Sequence, residues 1–192
     1  MPLCILALAC LAPTAAANDG AGLADGPATA KPAHPAANGG APYGTPLPTG
    51  GPTVPGTRAK LVGKVAYAPS LAPYAVQKAV WAANRLRSKP YIYGGGHSLS
   101  WKLQPGYDCS GTVSFALHGA GLIKTPMDSS QFMVWGKRGK GKWITVFANS
   151  GHAYAIIAGL RLDTSGPGQS GPRWRATTRS NAGYVVRHPR GF

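Results

Sequence analysis

The order of patterns along the chain predicts an α+β domain built on an antiparallel sheet. Helical periodicity comes first, at about residues 74–88 and 109–120, and strand-like alternation follows at 143–149, 152–158, 160–163 and 183–188. Helices and strands segregated along a chain pack as helices against an antiparallel sheet, not as parallel β-α-β units. No unit recurs at the spacing of about 20–50 residues that marks repeat folds.

The chain opens on a short apolar run, residues 3–12, closed by Pro13-Thr14-Ala15-Ala16-Ala17. This is the pattern of a secretory signal peptide cut near Ala17, so residues 1–17 are assigned to it. The run falls short of the roughly 20 apolar residues of a membrane span, and no other stretch qualifies, so no transmembrane segment is expected. Residues 18–57 hold eight prolines among Ala, Gly, Thr and Asn, with almost no large apolar side chain. Such a segment buries too little surface to offset its ordering entropy, and it is read as a disordered Ala/Pro/Gly-rich linker.

The domain is expected over residues 58–192. Pro73 opens a first helix whose stripe is Val76, Ala79, Val80, Ala83 and Leu86, and Pro90 ends it. Residues 90–96 step into a glycine-rich turn that lacks the lysine of a phosphate loop. Asp108 is placed to cap a second helix with Val113, Ala116, Leu117 and Ala120 on one face, stopped by Gly119 and Gly121. The basic segment 136–142 reads as a solvated turn, and 164–180 as a long loop.

Charge narrows the partners. Lys and Arg number 20 against 5 Asp and no Glu, a net charge of +15. That balance calls for an anionic partner: nucleic acid, anionic lipid or an anionic cell-wall polymer. The basic residues are scattered and no nucleic-acid motif interleaves aromatics with them, which disfavours nucleic acid.

Cys109 falls in the first turn of the second helix. Orphan N–H groups and the positive end of the helix dipole favour thiolate there, and thiolate is the nucleophilic form. A buried structural cysteine is the plain alternative. Signal-peptide removal takes Cys4 and Cys10, leaving Cys109 the sole thiol of an exported chain, where an unused thiol is a liability. His152 begins a strand and Asp163 stands eleven residues on. A hairpin turn centred between Ile157 and Ala158 puts His152 opposite Asp163; one centred between Ala158 and Gly159 puts Tyr154 there. Either register leaves His152 and Asp163 on one face within diagonal reach. A carboxylate so placed fixes the imidazole tautomer and stabilises the imidazolium. His188 is the fallback orienter. His97 is expected to line the cleft, and His118 to face a helix C-terminus. No CxxC, HExxH or H-x₃₋₅-H spacing occurs, so neither metal nor cofactor is expected.

Four segments carry a resemblance: Pro90-Tyr91-Ile92-Tyr93-Gly94-Gly95, Tyr107-Asp108-Cys109-Ser110-Gly111-Thr112-Val113, Ser129-Ser130-Gln131, and the stretch from Gly151-His152 to Gly159. In this order they resemble the NlpC-type cell-wall peptidases, papain-like cysteine hydrolases of bacterial peptidoglycan. The resemblance implies a papain-like fold with Cys109 as nucleophile, His152 as general base and the third polar residue at Asp163, where the family often has His. It implies that Tyr93 assists the oxyanion or substrate and that Asp108 serves substrate binding. It implies cleavage of stem peptides at the γ-D-glutamyl–diamino acid bond, by a secreted or wall-associated monomer. Two departures stand out: the usual Pro-Gly-Asp before the histidine strand is absent, with the basic segment 136–142 in its place, and the Cys-to-His spacing is short. An amidase or acyltransferase on the same scaffold, or a non-catalytic basic wall-binding protein, are the alternatives.

Overall fold

A computed structural model describes residues 50–166 and 171–192 of the chain. The expected signal peptide and all but the end of the expected linker lie outside these residues. The described elements are strands β1 Thr53–Val54, β2 Lys60–Val62 and β3 Val65–Pro69, helices α1 Tyr74–Asn84, α2 Cys109–Gly119 and α3 Ser129–Val134, then strands β4 Lys137–Arg138, β5 Ile144–Asn149, β6 His152–Ile157, β7 Leu160–Asp163, β8 Arg173–Arg175 and β9 Val185–His188. The fold is α+β. Six strands form one sheet in the order β4-β9-β5-β6-β7-β8, every neighbouring pair antiparallel.

The central strands separate two faces. Ile144, Val146 and Ala148 of β5, with Ala153, Ala155 and Ile157 of β6, join the main core beneath the helices. The predicted stripe of α1, Val76, Ala79, Val80, Ala83 and Leu86, lies in that core, as do Val113, Ala116, Leu117 and Ala120 around α2. Helical spacing and alternation therefore produce the expected layers, each element burying one face against the other.

Three features differ from the sequence reading. A small sheet, β1-β3-β2, precedes the helices, and its Thr53–Val54 strand pairs in parallel with Ala68 and Pro69. The packed chain thus begins before residue 58, inside the stretch assigned to the linker. Lys137 and Arg138, in the basic segment read as a turn, are an edge strand against His188 and Arg187. Arg173–Arg175, read as loop, pairs with β7. Thr53–Val54, Lys137–Arg138 and Arg173–Arg175 are only two or three residues long, too short for alternation to register.

Helix α1 ends at Asn84, four residues before the predicted end, and a tighter turn carries the chain on to Lys89. Asn84 is buried and holds three elements together. Its Oδ1 accepts from the Ala66 N–H (2.9 Å) and the Trp174 indole N–H (2.9 Å), and its Nδ2 donates to the Ala66 carbonyl (2.8 Å). Truncation to alanine leaves two donors and an acceptor unpaired in the core. Each such group costs about 1–3 kcal/mol, so Asn84→Ala is expected to destabilise the domain by about 3 kcal/mol or more, read from the midpoint of urea unfolding. A loss below about 1 kcal/mol would contradict this bridge.

The β6–β7 hairpin turns on Ala158 and Gly159, both left-handed (φ 48° and 90°). This two-residue turn pairs Ile157 with Leu160 and Ala155 with Leu162, the pattern of a primed turn that suits the twist of the strands. Of the two registers weighed above, the chain adopts the one centred between Ala158 and Gly159. Tyr154 therefore lies across from Asp163, with His152 two residues along on the same face.

Candidate active site

The N-terminus of α2 is assembled before any partner reaches it. Asp108 caps the helix, its Oδ1 accepting from the Gly111 N–H at 2.7 Å. The glycine-rich strap lies directly over this turn. The Asp108 N–H donates to the Gly95 carbonyl (3.0 Å), and the Gly94 N–H donates to Asp108 Oδ2 (3.1 Å). A Cβ at position 111 would run into the Gly95 carbonyl, so the close approach of strap and helix requires glycine there. His97 closes the arrangement, its Nε2 lying 3.0 and 3.1 Å from the two Asp108 oxygens. Burial pushes the Asp108 pKa up, but hydrogen bonds from His97 and the Gly111 N–H outweigh it and leave the carboxyl below its ordinary range. The same bond to Asp108 raises the His97 pKa. Both Asp108 oxygens are engaged by the chain itself. The residue stands next to Cys109, but as the clamp of the strap and the helix start.

Cys109 is the first residue of α2, buried and unpaired as a disulfide. Burial opposes its ionisation. A hydrogen bond with His152, one from the Ala153 N–H and the charge of His152 more than offset this and hold the thiol pKa below its usual value. The helix N-terminus acts in the same direction. His152 presents Nε2 to Asp163 Oδ1 at 3.0 Å, which leaves Nδ1 as the nitrogen that serves the thiol. Burial lowers the His152 pKa, but the Asp163 and Cys109 interactions win and raise it to about 9. The lowered thiol pKa and the raised imidazole pKa both favour the thiolate–imidazolium form, in which no proton has to be removed before attack.

Asp163 is 1 % exposed and densely bonded. Its Oδ1 also accepts from the Ser165 N–H (2.9 Å) and hydroxyl (3.0 Å), and its Oδ2 accepts from Arg179 Nη1 (3.0 Å). Arg161 Nε is 3.4 Å from Oδ2, a charge contact without hydrogen-bond alignment. Burial raises the Asp163 pKa, yet these donors hold it far below the carboxylate range. A carboxylate ionised at every working pH is what a stable imidazolium needs.

The structure thus brings Cys109, His152 and Asp163 together, with His152 and Asp163 on one face as the hairpin parity predicts. It rearranges several of the other candidates. Tyr93 is 90 % exposed. Tyr91 also lies within electrostatic reach of the nucleophile: burial raises its pKa, and so does the negative charge of Cys109 and Asp108. His118 does not act as a charged helix-end partner. It is buried, stacks on Trp101 at 3.8 Å with the rings 3° apart, and burial lowers its pKa. His188 bonds the Gly139 carbonyl on the sheet edge (3.0 Å) and is not the orienter. Ser165 and Arg179 escaped the sequence reading because they sit in loops without periodicity and converge on Asp163 only through folding. Among the described residues, no group of three or more His, Cys, Asp or Glu side chains is placed to hold a metal ion, and no helix is long and apolar enough to cross a membrane.

The chain matches no protein-family model, and it matches no curated protein.

Proposed function

We propose that the protein is a cysteine endopeptidase of papain-like architecture, exported to the cell wall, that hydrolyses peptidoglycan stem peptides. The observation that carries this reading is the Cys109–His152–Asp163 relay: a thiol at a helix N-terminus whose pKa the neighbouring imidazole lowers, with Nε2 of that imidazole 3.0 Å from a buried carboxylate. The four resembling segments support the substrate, and the bond joining γ-D-glutamyl to a diamino acid is the proposed point of cleavage. The basic surface supports residence on anionic wall polymers.

In the proposed reaction the Cys109 thiolate attacks the amide carbonyl, and a C–S bond forms. The resulting oxyanion is held by the Cys109 N–H at the helix start. His152 gives its proton to the leaving amine as the C–N bond breaks, leaving a thioester. Neutral imidazole then takes a proton from water, which attacks the thioester; the C–S bond breaks and the acid is released. Asp163 keeps the imidazole oriented through both steps.

A pH profile tests the relay. Activity requires thiolate and imidazolium together. It should fall on the acid side as Cys109 protonates, below the ordinary thiol range, and on the alkaline side as His152 loses its proton near pH 9. Alkylation by iodoacetamide, which needs only the thiolate, should stay fast well below pH 8 and slow by about tenfold in His152→Ala for each unit the thiol pKa rises. A thiol that alkylates only above pH 8 in the wild type would overturn the relay and favour a structural cysteine in a basic wall-binding protein.

A further inference from the structure

The six-stranded sheet carries a concavity on the face opposite Ala153, Ala155 and Ile157. Phe147 pairs with Tyr154 across β5 and β6, and Thr145 with Ile156. These side chains belong to the face that also bears His152, and Phe147 and Tyr154 lie outside the main core beneath the helices. They form one wall of a groove of about 430 Å³, within the span of about 300–1,000 Å³ typical of ligand sites. Its cations are Arg58, Lys140, Lys142 and Arg179, and no carboxylate lines it. Thr178 and Asn181 add a hydroxyl and an amide.

We infer that this groove is a binding site for a phosphodiester-linked, hydroxyl-rich polymer chain, and the inference rests on the wall-polymer reading of the basic surface. Arg179 is already paired with Asp163, but Arg58, Lys140 and Lys142 bring three further positive charges to one concavity with no carboxylate in its lining, and they repel one another unless an anion is brought between them. Lysine ammonium groups and an arginine fork together suit phosphate oxygens, and the hydroxyl and amide suit polyol or sugar hydroxyls. The aromatic faces are already covered. Phe147 and Tyr154 stack on each other at 4.7 Å, Arg179 lies 5.2 Å over Tyr154, and Lys142 lies 5.6 Å from the Trp143 ring centre. The groove therefore offers charge without an open stacking platform, which favours a polyol phosphate over a single-stranded nucleic acid. Arg179 joins the groove to the relay, since the guanidinium that lines it also holds Asp163 and Ser165.

The test is calorimetric titration of the full chain with poly(glycerol phosphate), a probe without an amide bond, so that binding is read independently of hydrolysis. Lys140 and Lys142 are both exposed and removable without disturbing the core. Lys140→Ala/Lys142→Ala is expected to weaken binding by about tenfold or more. Lys60→Ala/Lys64→Ala, which removes the same charge from the exposed small sheet, should leave the affinity within about twofold. Equal loss in the two variants, or none in either, would place binding elsewhere and overturn the site while leaving wall residence intact. No binding by the wild type, or tighter binding of single-stranded DNA or of polygalacturonate than of poly(glycerol phosphate), would overturn the ligand class.

Discussion

Cys109→Ala is expected to abolish hydrolysis of stem peptides while leaving the fold unchanged. The substitution removes the only atom that forms the covalent intermediate, and loss of the nucleophile in a hydrolytic triad costs about 10⁶-fold in kcat. The fold is indifferent for a specific reason. The N-terminus of α2 is held by the Asp108 cap, the glycine strap and His97, and none of these bonds uses the sulfur. Thermal unfolding and the far-ultraviolet spectrum should match the wild type. Residual activity within about a hundredfold of wild type would move the chemistry to another residue.

The second large effect falls on Asp163→Asn. The amide preserves size but removes the charge that stabilises the imidazolium. The His152 pKa should drop from about 9 toward its ordinary value, and the alkaline limb of the pH profile should move down with it. As the imidazolium weakens, the Cys109 pKa rises, so the thiolate fraction at pH 7 falls as well. Together these predict a loss of about 10²–10⁴-fold in kcat/KM. Stability suffers too. Arg161 is buried beside Asp163, and Arg179 spends a nitrogen on it. Removing one partner of a buried charge cluster typically costs about 3–5 kcal/mol. Kinetics are therefore measured well below the variant's unfolding midpoint. An alkaline limb still near pH 9 would show that another group holds the imidazolium.

The relay was legible in the sequence because each of its parts obeys a local rule. Asp108 before an apolar helical stripe marks a helix start, which puts Cys109 among unpaired N–H groups. Strand parity, with a two-residue turn at Ala158 and Gly159, puts His152 and Asp163 on one face, and an error of one residue would have separated them. Chemistry in the loops was not legible. Arg179 reaches Asp163 from sixteen residues away, through a segment with no period to read. The Tyr91–Tyr107 bridge likewise joins two segments sixteen residues apart in a way no local pattern encodes. The shortest strands fail for the same reason: Thr53–Val54 and Arg173–Arg175 owe their structure to β3 and β7, not to their own composition.

One measurement bears most directly on the central claim that Cys109 cleaves stem peptides through a thioester. A purified muropeptide carrying an intact stem is incubated with wild type and with Cys109→Ala in ¹⁸O-labelled water, and the products and the intact protein are weighed by mass spectrometry. Two fragments are expected from the wild type, split between γ-D-glutamyl and the diamino acid, with one ¹⁸O in the new glutamyl carboxylate. Acid quenching at early times should show an acyl adduct on Cys109, and the alanine variant should give neither. Cleavage by both proteins, or an unaltered stem with the wild type, would contradict it.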